Sequence, residues 1–427
     1  MYLADRRSSA TATAEAAPGH GPGRSAVRAV SATVLALGTV SLITDISSEM
    51  VTAVLPLYLV AGLGVSPLGF GLLDGIYNGV GALVKLSAGV VADRGGGRHK
   101  AVALVGYGLS ALCKPLLLVA GSVAALGAVL AVDRTGKGLR TAPRDALISL
   151  SSEPEHRGRA FGVHRAMDTA GALLGPLLAF VLLRATQGQL LVVGGDRAGY
   201  RAVFAVSGCV AAVGVVVLLL FVPGRSSGGA AGGRPAVTRA LWRLAGLRRL
   251  TVCAVLLGLT TVSDSFVYLL IQRQLDLPAQ YFPLLPLGTA AGFLLLAVPF
   301  GLLADKVGRR GLFLAGHGAL LTGYGLLLGA GGGGWVPFAV LALHGTFYAA
   351  TDGVLAAAAA DVIPEAHRGA GLALVGTGQT AARFVCSLGF GAAWTAWGPH
   401  SALAAAAGAL ALAAVLVAVL LRTERPA

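Results

Sequence analysis

Charged side chains set at helical spacing inside apolar stretches are the residues of this sequence able to do chemistry. Asp45 and Glu49 are four apart, on one face of a helix. Asp133, Arg134, Lys137 and Arg144 fall on one side of another, with Arg140 on its flank. His164, Arg165 and Asp168 cluster on a third, and Asp74, Tyr77 and Asn78 make a polar patch on a fourth. Asp264, His344, Asp352, Gln379 and Arg383 are spread through later stretches. An ionisable group in apolar surroundings is costly, which makes function its default explanation. Three chemistries compete. The carboxylates can load and release protons, with Asp45 or Glu49 foremost and the two titrating as a pair. Alternatively, the charges around positions 133–168 neutralise one another as structural pairs. Or Asp45, Glu49, His164 and Asp168 hold a divalent ion, for which oxygen and imidazole ligands suit Mn, Co or Ni. The neighbouring cations oppose that last option, and no metal is expected. Five cations (Arg134, Lys137, Arg140, Arg144 and Arg165) could draw in an anionic or amphipathic solute, unless Asp133, Asp145 and Asp168 neutralise them.

These residues need scaffolds that cross a bilayer. The chain of 427 residues is 56% hydrophobic and 12% charged, with mean hydropathy +0.77. A soluble domain carries roughly 25% charged residues, so this surface must largely face lipid. A membrane helix takes about 20 apolar residues. Twelve stretches qualify: 34–60, 67–92, 101–120, 122–148, 158–183, 201–222, 250–273, 281–304, 311–330, 335–361, 369–394 and 400–421. The expected fold is all-α, with two pseudo-symmetric six-helix bundles over 31–222 and 250–422. A disordered arm (1–30), a basic linker (223–249) and a short tail (423–427) complete the chain.

Lysines and arginines orient these spans. With an even number of spans both termini share a side. That side holds 21 of the 33 Lys and Arg, against 4 on the other, which is the positive-inside pattern. Both termini and the linker are thus expected on the cytoplasmic face of the membrane. The same distribution accounts for the net charge of +14 without nucleic acid as a partner. Cys113, Cys209, Cys253 and Cys386 stand singly with no C-x-x-C spacing, so neither a disulfide framework nor a thiolate metal site is indicated. No H-E-x-x-H occurs, and no G-x-S-x-G in a strand-to-helix context, so the chain is not expected to be an enzyme. Aromatic content of 6% argues against a broad drug pocket built on stacking.

Two short segments repeat. Gly89, Asp93, Arg94 and Arg98 make G-x-x-x-D-R-x-G-x-R. Gly301, Asp305, Lys306, Arg309 and Arg310 make G-x-x-x-D-K-x-G-R-R, with the two aspartates 212 positions apart. Pro154-Glu155-His156-Arg157-Gly158 is echoed by Pro364-Glu365-Ala366-His367-Arg368-Gly369. Repetition at half the chain length marks a duplicated bundle.

On these segments the sequence resembles the major facilitator superfamily of secondary transporters, in a bacterial drug/metabolite:proton antiporter-like branch, from about residue 30 to 421. The repeated segment is similar to that family's gating loop. Asp93 can accept hydrogen bonds at a facing helix N-terminus, and Arg94 and Arg98 can pair with acids on neighbouring helices. Arg134-Thr135-Gly136-Lys137-Gly138 resembles the family's R-x-x-Q-G motif, whose arginine is linked to proton transfer; here Lys137 replaces Gln. Gly162, Gly171, Gly175 and Pro176 resemble the family's helix-5 antiporter motif without its terminal Gly-Gly.

The resemblance implies a cavity between spans 1, 4, 5 and 7, 10, 11, with bundles that rock around it and cytoplasmic hinges that lock the outward-open state. It implies a monomer in the lipid bilayer, powered by the proton gradient and needing no cofactor, that exports a small organic solute in exchange for protons. Asp45 and Glu49 would exchange the protons and Arg134 would tune them. Lys137, Arg165, Asp168, Asp264, His344 and Asp352 would complete the cavity. Proton-coupled uptake of an organic anion, export of a divalent metal and a non-transporting membrane sensor are the alternatives. A sensor would more often carry a sizeable soluble domain, and no stretch of these 427 residues reads as one.

Overall fold

In lipid, apolar runs this long satisfy their backbone groups as helices, and the computed structural model is built of them. It describes residues 30–94, 99–153, 156–186, 197–224, 242–329, 333–364 and 368–422. The first half forms α1 (Ala32–Leu57), α2 (Pro67–Arg94), α3 (His99–Leu116), α4 (Val123–Leu150), α5 (Arg157–Thr186) and α6 (Ala198–Phe221). The second forms α7 (Ala245–Gly258), α8 (Asp264–Leu275), α9 (Leu285–Val307), α10 (Arg309–Gly329), α11 (Val336–Val362) and α12 (Arg368–Arg422). Serines open two of them. Ser31 accepts from the Val34 N–H at 3.3 Å and Ser122 from the Ala125 N–H at 3.1 Å, each satisfying a donor that the first turn leaves free.

Three of the expected spans differ. The stretch 250–273 is broken, because α7 stops at Gly258 and α8 starts at Asp264. Thr260 and Thr261 turn their hydroxyls back onto the Leu257 carbonyl, at 3.0 and 2.8 Å. Ser263 and Asp264 then supply the residue types that favour a helix start. The Val262 N–H, freed by the break, donates to the Tyr324 hydroxyl at 2.9 Å. Conversely, stretches 369–394 and 400–421 run together as α12, bent at Gly398 with φ 81°. Only glycine takes that left-handed value without a Cβ clash, and Pro399 follows it. The pair α7–α8 thus makes one pass and α12 makes two, giving twelve.

Six helices, α1, α5, α6, α9, α10 and α12, lie within segments long and apolar enough to cross a membrane on those grounds alone. α4 has 28 residues, about 42 Å at 1.5 Å per residue, but it carries Asp133, Arg134, Lys137, Arg140, Arg144 and Asp145. It needs neighbours that pair those charges. Packing supplies them: α4 lies against α2 and α3, while α1 lies against α5 and α6. The second half repeats the plan, with α9 and α10 both on α11 and α7 on α12. The bundles meet chiefly along α2 and the first arm of α12, residues 368–397.

Candidate substrate cavity

A cavity of about 500 Å³ lies between the bundles. On one wall α1 contributes Glu49 and Thr52, and α2 contributes Tyr77 and Asn78. The other wall carries the 261–265 break, Tyr348 and Asp352 of α11, and Arg383 of α12. Bare backbone at membrane depth is tolerated where it faces such a space and not lipid. Five aromatic rings, Tyr77, Tyr268, Phe282, Phe293 and Tyr348, line the cavity. Five rings among 25 lining residues exceed the 6% of the chain as a whole, so the low overall content is a poor guide to this pocket.

One end of the cavity is sealed. Gly71 of α2 abuts the Ser387 carbonyl, and a Cβ on Gly391 would stand 2.5 Å from the Pro67 carbonyl oxygen. α2 and α12 therefore touch backbone to backbone. In this seam Ser387 Oγ donates to Asp74 Oδ2 at 2.6 Å, and the Leu68 N–H donates to Thr395 Oγ1 at 3.1 Å. Phe266 packs edge-on against Phe70 and Phe390, each at 4.8 Å between ring centres. Phe180 of α5 meets Tyr281 at 5.8 Å. These contacts lie toward the end remote from the chain termini.

Behind the α1–α2 wall the charges of the first bundle pair off. Asp133 accepts from Lys114 Nζ at 2.9 Å and from Arg134 Nη2 at 2.6 Å, and all three are buried. Arg134 also lies 3.8 Å over the Tyr77 ring, whose hydroxyl meets Thr52. Arg140 donates to Asp45 at 3.3 Å and stacks 4.5 Å over Tyr107. Lys137 faces Glu49 at 3.6 Å. Arg144 reaches Asp145 at 3.0 Å and Asp168 at 3.6 Å, and Arg165 reaches Asp168 at 3.8 Å. His164 bonds Ser41 at 2.9 Å. The structural-pair explanation thus describes most of this cluster, and its hidden member is Lys114. Among the described residues, no three His, Cys, Asp or Glu converge as ligands for a metal ion.

Of the nine residues expected to form the coupling and substrate site, Glu49, Asp264 and Asp352 line the cavity. Arg134 stands behind Tyr77. His344 stands behind Asp264, where His344 Nε2 and the Tyr348 hydroxyl both reach Oδ1, at 2.9 and 2.7 Å. Asp45, Lys137, Arg165 and Asp168 belong to the paired cluster. Sequence reasoning missed Tyr348, although it lies one turn before Asp352 on α11. It also missed Tyr268, whose hydroxyl donates to Thr289 at 3.0 Å across two helices; no local spacing signals that contact.

The glycine motif of α5 divides in two. Gly162 faces open space. A Cβ on Gly175 would stand 2.7 Å from Glu49 Cβ and 2.8 Å from the Ile46 carbonyl oxygen, and one on Gly171 would stand 2.5 Å from the Leu42 carbonyl oxygen. α1 therefore nests on α5 through these two positions, which fixes Glu49 beside cavity-lining Pro176. The second of the repeated loop segments lies at the other end of the molecule. In the second copy Gly301 has open space, Gly308 ends α9 with φ 92°, and Lys306 and Arg310 are exposed. Arg309 forms an ion pair with Asp361 of α11, within one bundle. Gly89, Asp93, Arg94, Arg98 and Asp305 lie outside the residues whose side chains are described, as do Glu155 and Glu365 of the repeated caps.

The Major Facilitator Superfamily model matches residues 37–335 and 253–427. The chain belongs to the Major Facilitator Superfamily. An uncharacterized MFS-type transporter, MJ1317 of Methanocaldococcus jannaschii, is 29% identical over 313 residues, which is 68% of this chain and 70% of that protein. The nucleoside transporter NupG superposes with TM-score 0.75 at 11% identity, over 91% of this chain and 99% of its own. A bacterial homolog of the human lysosomal transporter Spinster, in an inward-facing and occupied conformation, gives 0.70 at 16% identity, over 96% and 100%. Identities this low speak to the fold alone. Family and fold together make this an integral membrane transporter of twelve helices.

Proposed function

We propose that the protein exports a small organic solute in exchange for protons, as a monomer in a bacterial cytoplasmic membrane with both termini inside the cell. The observation that carries this reading is the 500 Å³ cavity between two similarly built bundles, sealed at the end remote from the termini. With the termini cytoplasmic, as the Lys and Arg distribution argues, that seal is external and solute enters from the cytoplasm. Rocking of the bundles would part the α2–α12 seam and close the opposite end around the same site. The Arg309–Asp361 pair lies at that opposite end, where the loop segments are expected to hold the outward-open state.

Proton coupling is seated in the first bundle on this reading. Asp45 of α1 and Asp168 of α5 belong to one cluster of charges, Asp45 against Arg140 and Asp168 against Arg144 and Arg165, and neighbouring acids can share a proton. Glu49, one turn along α1, faces the cavity, so a proton released nearby is close to the path of the solute. Arg134 bears on this region through the Tyr77 ring. Metal export finds no ligand set to support it among the described residues.

The test uses purified protein in proteoliposomes and a solute identified by thermal-shift screening of metabolites and antibiotics. An imposed pH gradient should drive that solute against its own gradient, and a proton ionophore should abolish the accumulation. Solute movement indifferent to both would remove coupling. Asp45→Asn combined with Glu49→Gln should lose gradient-driven accumulation even at solute concentrations high enough to offset the weaker binding that loss of cavity-facing Glu49 entails. Unchanged accumulation would take both residues out of the mechanism.

A further inference from the structure

The charges that face the cavity differ from those of the bundle around it. Lys114, Arg134 and Arg140 are buried in ion pairs. None of Arg134, Lys137, Arg140, Arg144 or Arg165 lines the cavity, so the attraction for anions expected from that group loses its footing. The lining instead holds Glu49, Asp264 and Asp352 against one basic side chain, Arg383. Lys137 approaches Glu49 only at 3.6 Å, and both are partly exposed. Asp352 is exposed to the cavity and enters no ion pair among the described residues. Arg383 has its guanidinium 6.0 Å from the Tyr348 ring, and its Nε has no hydrogen-bond partner.

We propose that the solute is an organic cation, a protonated amine on an apolar or aromatic body that also carries a hydrogen-bond acceptor. The inference rests on the transporter reading of this cavity and adds the charge class of its cargo. Lys137 pairs with Glu49 and His344 with Asp264, which leaves Asp352 as the lining acid that enters no ion pair among the described residues. An ammonium group at Asp352 supplies that counter-charge, and a carboxylate enclosed without one is strongly disfavoured, so a cation completes the occupied site. The rings of Tyr77, Tyr268 and Tyr348 offer faces to the body and to the charge. Arg383 Nε donates to the acceptor, which fixes the orientation of the solute.

Binding to the purified full-length protein tests the assignment with three matched series: aromatic ammonium compounds, the corresponding zwitterionic amino acids and the corresponding carboxylates, graded in size up to the cavity volume. Ammonium compounds should bind. Asp352→Asn should weaken them on the order of tenfold, the effect of losing one modest charge contact, and Asp352→Glu should restore them. Arg383→Gln should tighten ammonium compounds that carry no acceptor and weaken those that do, a pair of signs that general loss of structure would not produce. Binding confined to zwitterions or carboxylates, absence of ammonium binding, or weaker binding of acceptor-free ammonium compounds in Arg383→Gln overturns the assignment. Counterflow in proteoliposomes loaded with the compound that binds separates the two levels. Exchange of a carboxylate and not of an ammonium compound defeats the charge assignment alone. An ammonium compound that binds and never exchanges leaves the charge assignment standing and defeats the transport reading.

Discussion

Asp133 sits between Lys114 and Arg134 with 5% of its side chain exposed, so neither it nor its partners can turn to water. Removing one member of a buried ion set strands the others, at a cost of about 3–5 kcal/mol. Asp133→Asn should therefore lower the melting temperature of the detergent-purified protein substantially. Adding Lys114→Met, which replaces the stranded cation with an apolar chain of similar length, should recover much of the loss. A melting temperature unmoved by Asp133→Asn would show that the pair is not structural. Legibility at this scale depended on distance along the chain. The neighbours Asp133 and Arg134 stand out in the sequence, as do the acids Glu49, Asp264 and Asp352. Lys114 does not, because a pair between helices depends on how both are rotated, and no spacing within either one reports that.

At the scale of elements, α5 carries two kinds of glycine. Gly175 lies where a Cβ would strike Glu49 and the α1 backbone, whereas Gly162 meets nothing within 4 Å. Gly175→Leu should force α1 away, displace Glu49 and abolish solute binding in protein that still reaches the membrane. Gly162→Ala should leave binding intact and stabilise the helix by up to ~1 kcal/mol. Binding measurements beside thermal melts check both, and equal behaviour of the two variants would remove packing as the reason for the motif. The twelve passes could be read from apolar length, since lipid leaves the backbone little choice. The break before α8 could not, because Thr260, Thr261, Ser263 and Asp264 are four among several polar residues of 250–273, beside Thr251, Ser265, Gln272 and Arg273. Those four residues look like ordinary polar substitutions until the backbone shows a helix ending and another beginning there.

For the whole molecule the decisive feature is the seam between α2 and α12. If solute is carried by alternating access, this seam must part once in each cycle. In a background lacking Cys113, Cys209, Cys253 and Cys386, Leu68→Cys with Thr395→Cys places thiols where the Leu68 N–H meets Thr395 at 3.1 Å. Oxidation should join them and stop transport, and a reductant should restore it. Transport that continues through the oxidised protein would show that solute does not leave by this route. The two-bundle plan was legible from the repeated loop segments. The sealed end was not, because the contacts that close it join residues remote in the chain, 313 positions apart for Asp74 and Ser387.

A helix that leaves the translocon alone must carry its own charges into lipid. α4 bears six, and a charge at the centre of an inserting helix costs about 2.5–3.5 kcal/mol. Lys114 on α3 bonds Asp133 across the hairpin, so two opposite charges can enter already joined and neither has to be desolvated alone. α3 and α4 are therefore expected to partition together, as a hairpin. Biogenesis of this transporter would then be paced by helix pairs, and a substitution at Lys114 would be felt first during synthesis, before any solute is moved.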